Sequence, residues 1–205
     1  MNTKSTSLYS LTKADISRGV DVVLDAFQHD PVFNALFEGS APEQRRAMYE
    51  TPLRYCLHYG QVCAPSENLE GVAGWVQGQH AEMTPWRMLL SGAIWSGIRM
   101  GQDYSRRMMK AFQPIEAGRK QHMAGQPFLY LFFIGVATAH QGQGYGRVLL
   151  DEVIRIAEQD NLPVYLETET EANVRLYEYF GFTVLEKVDL PVVHLPMWMM
   201  VRKPA

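Results

Sequence analysis

The most regular apolar pattern in the chain lies in its second half. Residues 128–136 form a nearly unbroken apolar run, which is typical of a strand buried on both faces. A glycine-rich turn follows at residues 141–146, and apolar residues at helical spacing then predict a helix: Val148, Leu149, Val153, Ile156 and Ala157. Residues 164–168 predict a second strand. A strand, a helix and a strand in this order predict parallel neighbouring strands joined by a right-handed crossover.

The residue pattern in the rest of the second half predicts a short helix and two closing strands. The helix covers residues 173–180 and is expected to stop at Gly181, since glycine is common just after a helix end. The closing strands cover residues 182–190 and 195–202. Pro191 and Pro196 predict that the last of them is an edge or irregular strand, because proline cannot donate a ladder hydrogen bond.

The residue pattern of the first half predicts helices before and after a single hairpin. A polar lead at residues 1–10 runs into a first strand, and Asp15 is expected to cap a helix that ends near Phe27. Further helices are predicted at residues 31–37, 42–58 and 84–121, the last divided at Gly97 and Gly101, and a hairpin at residues 61–76. We predict one domain over residues 1–205, with a core at about 128–184 and the helical insert at 84–121.

Composition and charge exclude several classes of protein. A length of 205 residues with 47% hydrophobic content suits one domain with a sizeable core. The net charge of −3 disfavours a nucleic-acid binder, which usually carries a basic surplus. No apolar run reaches the roughly 18 residues of a membrane-spanning helix, and residues 1–9 lack the apolar region of a signal peptide, so we expect a cytoplasmic protein. The two cysteines and six histidines show no metal-ligand spacing, and no metal is expected.

The glycine turn between strand and helix predicts an anion site. The first amides of a helix lack partners, the helix dipole adds positive partial charge, and glycines let a ligand approach the backbone. A G-x-G-x-x-G dinucleotide pattern is excluded because Arg147 stands where its last glycine would be. A P-loop is excluded because no G-K-[ST] follows. An ordinary tight turn between strand and helix is the alternative interpretation.

Two motifs of the chain resemble those of the GNAT family of acyl-CoA-dependent N-acetyltransferases. The pattern Q-x-x-G-x-G at Gln141, Gly144 and Gly146 is similar to the family's pyrophosphate loop, R/Q-x-x-G-x-G/A. The family's N-x-x-x-x-Y-x-x-x-G-F resembles a second segment: Asn173, Leu176-Tyr177-Glu178 and Gly181-Phe182. Both occur in the family's order and in the expected secondary structure, so together they are a fairly specific signal.

A narrower resemblance points to puromycin N-acetyltransferase-like proteins. The resemblance is clear over about residues 128–205. Outside this range, the predicted third strand is also similar. The residues that carry it are Leu166-Glu167-Thr168, Asn173, Tyr177-Glu178, Gly181-Phe182-Thr183-Val184, Trp198-Met199, Arg202-Lys203-Pro204 and Gly71-Val72-Ala73-Gly74-Trp75.

The family resemblance implies an α+β fold, a mixed α/β arrangement with a seven-stranded sheet that splays after the fourth strand and is flanked by helices. Acetyl-CoA would lie in the splay as cosubstrate, its pantetheine arm along Ile134, Gly135 and Val136. Gln141 would anchor the turn, and Asn173 would contact the CoA arm. The pyrophosphate would take backbone amides from Gly142, Gln143, Gly144, Tyr145, Gly146 and Arg147.

The implied reaction is direct attack of a neutral amine on a thioester. Tyr177 is predicted to protonate the leaving thiolate, and the Val136 amide to donate to the oxyanion. Glu167 is predicted to be the base, with Glu169 and Glu171 as alternatives. Other interpretations stay open: Tyr177 could be a packing aromatic, and the acidic residues 167–171 a solvated turn.

The acceptor is expected to be a primary amine of a small molecule. His29-Asp30-Pro31 resembles the loop that faces the acceptor pocket in this family, although a surface loop is the simpler interpretation. The insert, rich in Met and Trp, is predicted to form a pocket lid for an amphipathic or aromatic amine, with Trp86 and Trp95 in its wall. A protein lysine or N-terminus, or a non-catalytic acyl-CoA-binding domain, are the alternatives. We expect no nucleic-acid or membrane partner, and a possible homodimer.

Overall fold

The computed structural model describes residues 8–204, so residues 1–7 and 205 of the predicted domain lie outside the described part. Its strands form one mixed sheet in the order β1-β2-β3-β4-β5-β7-β6. β4 and β5 are parallel, and the other neighbours are antiparallel, so the predicted fold class is confirmed. The strands are β1 Tyr9–Ser10, β2 Gly60–Ala64, β3 Gly71–Gln77, β4 Leu129–Val136, β5 Val164–Thr168, β6 Thr183–Leu190 and β7 Leu195–Arg202.

Helices cover both faces of the sheet and create two cores. The first core includes residues of α1, α3 and α6, and the second includes residues of α7 and α8. Because side chains alternate along a strand, Tyr165 of β5 faces the first core and Leu166 faces the second. The helices are α1 Ile16–Ala26, α2 Pro31–Leu36, α3 Pro42–Tyr59, α4 Pro85–Ser91, α5 Ala93–Met100, α6 Gln102–His122, α7 Tyr145–Gln159 and α8 Glu171–Tyr179.

The sheet opens between β4 and β5. These strands pair only where Leu129 and Tyr130 meet Val164 and Tyr165. The pairing of β3 with β4 contains a β-bulge: Gly74 pairs with Phe133 and Trp75 pairs with Leu131, so Phe132 of β4 has no partner on β3. A bulge of this kind bends the strand that contains it. Beyond this point β4 stays with β3 while β5 follows β7. We call the resulting gap, between residues 131–136 and the end of β5, the β4–β5 cleft.

The closing strand differs from its prediction. β7 lies inside the sheet between β5 and β6, so the expectation of an edge strand is wrong, and β6 forms the edge. Pro196 is tolerated because it pairs only with Asp189 of β6, whereas the pairing with β5 begins at Trp198. The missing N–H of Pro196 therefore costs no hydrogen bond to β5.

Two boundaries in the helical regions also differ. The insert breaks at Gly92 and Gly101, both with positive φ, whereas Gly97 lies within α5. Asp15 does not cap α1 with its side chain. Its carboxylate instead accepts hydrogen bonds from the Thr12 backbone N–H (2.9 Å), the Thr12 hydroxyl (2.8 Å) and the Tyr9 hydroxyl (3.0 Å), so it stabilises the short turn before the helix.

Candidate active site

The turn between β4 and α7 is held by two glutamine side chains. Gln141 Nε2 donates to the Val136 carbonyl oxygen at 3.1 Å, and Gln143 Nε2 donates to the Ala139 carbonyl oxygen at 3.1 Å. These bonds fold the turn back onto the end of β4. Gln141 is thus bonded to the same strand end that borders the cleft.

The backbone of this turn offers a set of free donors. Gly142 and Gly144 have φ values of 75° and 88°, a region that favours glycine. Within residues 8–204, the amides from Gly142 to Arg147 have no acceptor. They lead into the first turn of the 15-residue helix α7, where the dipole is positive, and the Arg147 side chain is exposed nearby. This arrangement fits the diphosphate of acetyl-CoA.

The end of β4 presents backbone groups to the cleft. The Ala137 N–H donates to the Glu70 carbonyl, so the alternation of an antiparallel ladder makes the neighbouring Val136–Gly71 pair a non-hydrogen-bonded one. The N–H groups of Val136 and Ile134 therefore point away from β3 and into the cleft, with Gly135 between them. An extended ligand can pair with such an edge as an added strand does.

Helix α8 borders the cleft with two of the predicted residues. Asn173 lies in its first turn, half-buried, with no side-chain partner in the described part of the chain. The Tyr177 ring is buried against Phe182, with ring centroids 5.5 Å apart. Burial raises the pKa of Tyr177 and the charge of Glu169 raises it further, so the phenol is protonated at neutral pH. The ring packs in the core, and the hydroxyl has no hydrogen-bond partner among residues 8–204.

Glu167 is held in a buried network at the closed end of the cleft. Arg119 Nη1 of α6 donates to Glu167 Oε1 at 3.0 Å, and the Tyr130 hydroxyl donates to Oε2 at 2.6 Å. Burial raises the pKa of Glu167, while Arg119 and Tyr130 lower it. With both oxygens engaged, Glu167 is a poor candidate for the base. No local pattern pointed to Arg119, because nothing near it in the chain links it to β5.

Glu169, one of the alternatives, meets a second carboxyl group. It follows the end of β5, half-buried, and its carboxyl group lies near that of Asp30. Burial raises the pKa of Glu169 well above its ordinary value, and the nearby Asp30 raises it further. Glu169 therefore holds its proton more tightly than a solvated glutamate does. Glu171 lies apart, exposed and 3.7 Å from Arg175.

The structure also fixes the position of Asp30. This residue is buried at the N-terminus of α2, where its Oδ1 accepts the Phe33 N–H at 2.8 Å. The preceding helix is bound to the end of β4, since Gln28 Nε2 donates to the Thr138 hydroxyl at 2.8 Å. His29, its neighbour, is exposed. The loop at residues 29–31 thus contributes Asp30 rather than His29.

Four aromatic rings lie beside the carboxyl pair. In this aromatic cluster (Phe27, Phe33, Tyr49 and Phe112) neighbouring ring centroids are 5.7 to 6.5 Å apart. Burial raises the pKa of Tyr49, and the charges of Asp30 and Glu169 contribute, which locates the cluster next to them. At Gly135 a Cβ atom would come within 2.9 Å of the Phe27 ring, so the cluster also touches the cleft strand.

The tryptophans of the insert are not part of the aromatic cluster. Trp86 is 66% exposed and Trp95 is 64% exposed, and neither contacts a ring of the aromatic cluster. The expectation that they line a pocket lid is therefore wrong for this arrangement. The insert contributes Phe112 of α6 instead, because the inner face of α6 packs towards α2.

The described residues contain neither a metal-ligand cluster nor a membrane-spanning helix. Among residues 8–204, no group of three His, Cys, Asp or Glu side chains is placed to hold a metal ion. In the same part of the chain, every helix is too short or too polar to cross a membrane. Cys56 and Cys63 are buried free thiols.

Part of the chain is similar in sequence to known acetyltransferases. Residues 111–182, which include β4, the glycine turn and α8, match the acetyltransferase (GNAT) family. An uncharacterised N-acetyltransferase of Schizosaccharomyces pombe is 26% identical over 200 residues, which cover 93% of this chain and 80% of the relative. Residues 111–182 are therefore similar to acetyltransferases of the GNAT type.

Solved structures share the whole fold. A structure from Corynebacterium glutamicum, described as histone acetyltransferase HPA2 and related acetyltransferase, has a TM-score of 0.64 and 21% identity, and the match covers 98% of both chains. The polyamine N-acetyltransferase of Drosophila melanogaster has a TM-score of 0.67 and 12% identity, and covers 96% of this chain and 98% of its own. The likeness therefore extends through the helical insert to the full chain.

Proposed function

We propose that this protein transfers an acetyl group from acetyl-CoA to a primary amine of a small molecule. The observation that carries the proposal is the convergence at the β4–β5 cleft. Free amides of the glycine turn and of β4 border it on one side, and the Asp30–Glu169 pair and the aromatic cluster lie on the other. Such a site joins donors for an acyl-CoA to a base and an apolar wall for an amine.

Each part of acetyl-CoA has a matching part of the chain. The amides from Gly142 to Arg147 would hold the pyrophosphate, and the edge at Ile134 and Val136 would hold the pantetheine arm. Asn173, with a free side-chain amide, would contact the CoA arm. Bound in this way, acetyl-CoA supplies an acetyl group activated as a thioester.

The chain's own residues move two protons during transfer. Glu169 accepts a proton from the acceptor ammonium, directly or through water, and so frees the nitrogen lone pair. The Val136 N–H donates to the oxyanion as the N–C bond forms. Tyr177 then donates its proton to the sulfur as the C–S bond breaks, and the second proton that the nitrogen loses restores the phenol. Glu169 suits the first role because its pKa is raised above that of an ordinary glutamate, and Tyr177 suits the second because its phenol is protonated at neutral pH.

The acceptor is a cationic amine attached to an apolar or aromatic group. A carboxyl pair attracts an ammonium, and four aromatic rings beside it favour a ring or alkyl substituent. The resemblance of the C-terminal part to puromycin N-acetyltransferase-like proteins adds aromatic antibiotics to this class. A panel of puromycin, arylalkylamines and linear polyamines, with lysine peptides for comparison, covers the alternatives.

The test begins with binding of the cosubstrate. Titration of acetyl-CoA in a calorimeter is expected to give micromolar affinity, with no binding of NAD as the control. The amine panel is then assayed by release of free thiol. Failure to bind acetyl-CoA at millimolar concentration would overturn the proposal, and turnover of lysine peptides alone would reassign the acceptor to protein.

Replacing Tyr177 with phenylalanine is expected to lower kcat at least tenfold while leaving the affinity for acetyl-CoA unchanged. The ring continues to pack against Phe182, but the leaving thiolate no longer receives a proton. Steady-state kinetics and calorimetry on the same preparation check this. Tyr179→Phe is the matched control, since Tyr179 is exposed on the same helix. Equal turnover of Tyr177→Phe and wild type would remove Tyr177 from the mechanism.

Replacing Gly144 with alanine is expected to weaken acetyl-CoA binding about tenfold. At a φ of 88° an alanine is strained by about 1–2 kcal/mol, so the turn relaxes and its amides lose their alignment. Gly146→Ala is the control, because a Cβ atom there would meet only Val136 Cγ2 at an ordinary 3.6 Å. Calorimetric titration of both variants decides the point, and equal affinities would show that the turn does not bind the pyrophosphate.

A further inference from the structure

The outer face of the insert is apolar and has no partner in the described structure. Helix α4 exposes Trp86, Leu89 and Leu90, and helix α5 exposes Trp95 and Ile98. In each helix the exposed residues follow the i, i+3, i+4 spacing of a single face. The opposite sides of both helices pack against α3, and the two helices pack on each other. We call these five residues the apolar face.

This exposure is unusual for a soluble domain. Trp86 and Trp95 are about two-thirds exposed, whereas Trp75 and Trp198 are buried. Single exposed apolar residues are ordinary, but several large ones on two adjacent short helices mark a contact surface. Tryptophan is also the residue that prefers the boundary between an apolar phase and water.

The flank of this face is cationic. Between residues 85 and 110 the chain carries five Arg or Lys side chains and one acidic side chain, although its overall net charge is −3. On α6, Arg106, Met109 and Lys110 are exposed on one face, and neither cation makes an ion pair within residues 8–204. The partner of the apolar face must therefore tolerate or attract positive charge.

We propose that the apolar face and its cationic flank form a peripheral contact with an anionic membrane surface. Exposed Trp and Leu side chains on two packed helices, with Arg and Lys on the next helix, resemble the pattern of helices that lie in the headgroup region of a bilayer. No spanning segment is needed for this contact, so it replaces the expectation that the protein has no membrane partner. A second copy fits less well, because a twofold contact would bring the cationic flanks together.

Vesicle binding tests this contact without any need for enzymatic activity. The full chain is mixed with vesicles of phosphatidylcholine alone, or with about one-third phosphatidylglycerol, and its tryptophan emission and flotation are measured. We expect flotation and a blue shift only with the anionic vesicles, weaker at high salt. The shift reports on Trp86 and Trp95, since the other two tryptophans are already buried.

Paired variants separate the apolar and the ionic contributions. Trp86→Ser with Trp95→Ser is expected to weaken binding at least tenfold and to abolish the blue shift. Arg106→Gln with Lys110→Gln is expected to weaken binding and reduce its dependence on salt. Tyr179→Ser removes an exposed aromatic side chain of α8 and serves as the control, with binding as in wild type.

Two results would overturn the proposal. One is the absence of binding to anionic vesicles by the folded wild-type protein at low salt. The other is a dimer in solution, measured by light scattering, that the Trp86→Ser, Trp95→Ser variant converts to monomer, because a second copy would then cover the face.

Discussion

Replacing Glu169 with glutamine is expected to lower kcat by at least a hundredfold. Glutamine keeps the size and polarity of the side chain beside Asp30, but it cannot accept a proton from the amine. A positioned base contributes about 10² to 10⁴ in rate. The KM for acetyl-CoA should change little, because the glycine turn and β4 hold that molecule. Steady-state kinetics with a saturating amine measure both parameters.

The pH profile provides an independent readout of the same pair. Because burial and Asp30 raise the pKa of Glu169 above the ordinary 4.5 of a glutamate, kcat/KM is expected to fall as the pH drops through that raised value. Asp30→Asn removes one cause of the shift, so the acidic limb should move to lower pH. Glu169→Gln should abolish the limb.

The stability of the Glu169→Gln variant should move in the opposite direction from its activity. A carboxyl whose pKa is raised on folding contributes stability below its unfolded-state pKa, and that contribution is lost as the pH rises through the folded-state value. At pH 8 the ionised Glu169 carboxylate near Asp30 destabilises the folded wild-type protein. Glutamine is neutral and removes this cost, so the melting temperature of the variant should equal that of wild type or exceed it.

Glu171→Gln is the matched control for this experiment. Glu171 lies two residues away, exposed and paired with Arg175 on the helix surface, where an ion pair is worth little. Its kcat and melting temperature should equal those of wild type. A Glu169→Gln enzyme that retained kcat within threefold would show that the base lies elsewhere or that positioning alone supports the reaction.

Replacing Arg119 with methionine is expected to lower the free energy of unfolding by about 3–5 kcal/mol. The change leaves the Glu167 carboxylate buried without its counter-charge, which is the costly way to break a buried ion pair. Tyr130 still donates to Glu167, but one neutral hydrogen bond does not replace the guanidinium. Urea unfolding followed by circular dichroism measures the loss.

Removing the whole network should recover much of that stability. The triple variant Arg119→Met, Glu167→Leu, Tyr130→Phe replaces all three polar groups with apolar groups of similar volume and leaves no orphan charge. Arg175→Met, which breaks an exposed pair, is the control and should cost less than about 1 kcal/mol. A loss below 1 kcal/mol for Arg119→Met would mean that the network does not stabilise the fold.

The two glutamates can be told apart by these experiments. Glu169 substitution should affect turnover and leave stability intact, whereas Glu167 or Arg119 substitution should affect stability first. The reverse result, with Glu167→Gln stable but inactive, would restore Glu167 as the base. The distinction matters because the two residues lie only two positions apart at the end of β5 and yet meet different side chains.

The sequence alone was sufficient for the elements with strong local signals. The parallel strands β4 and β5, the glycine turn between them and helix α8 follow from apolar period, glycine position and chain order. The hairpin of β2 and β3 follows from its turn residues. The family motifs in the same region also predicted the match of residues 111–182 to the acetyltransferase (GNAT) family, because they are short and contiguous in the chain.

The tertiary structure decided which side chains meet. Asp30 and Glu169 come from opposite halves of the chain, and Arg119 reaches Glu167 across a helix–sheet interface. β7 lies between β5 and β6 although its prolines had predicted an edge strand. Trp86 and Trp95 are exposed because the opposite faces of their helices pack on α3. Local periodicity gives each element a buried face. Which neighbour covers this face depends on how the layers pack, and that neighbour determines how readily a side chain ionises and what it can do.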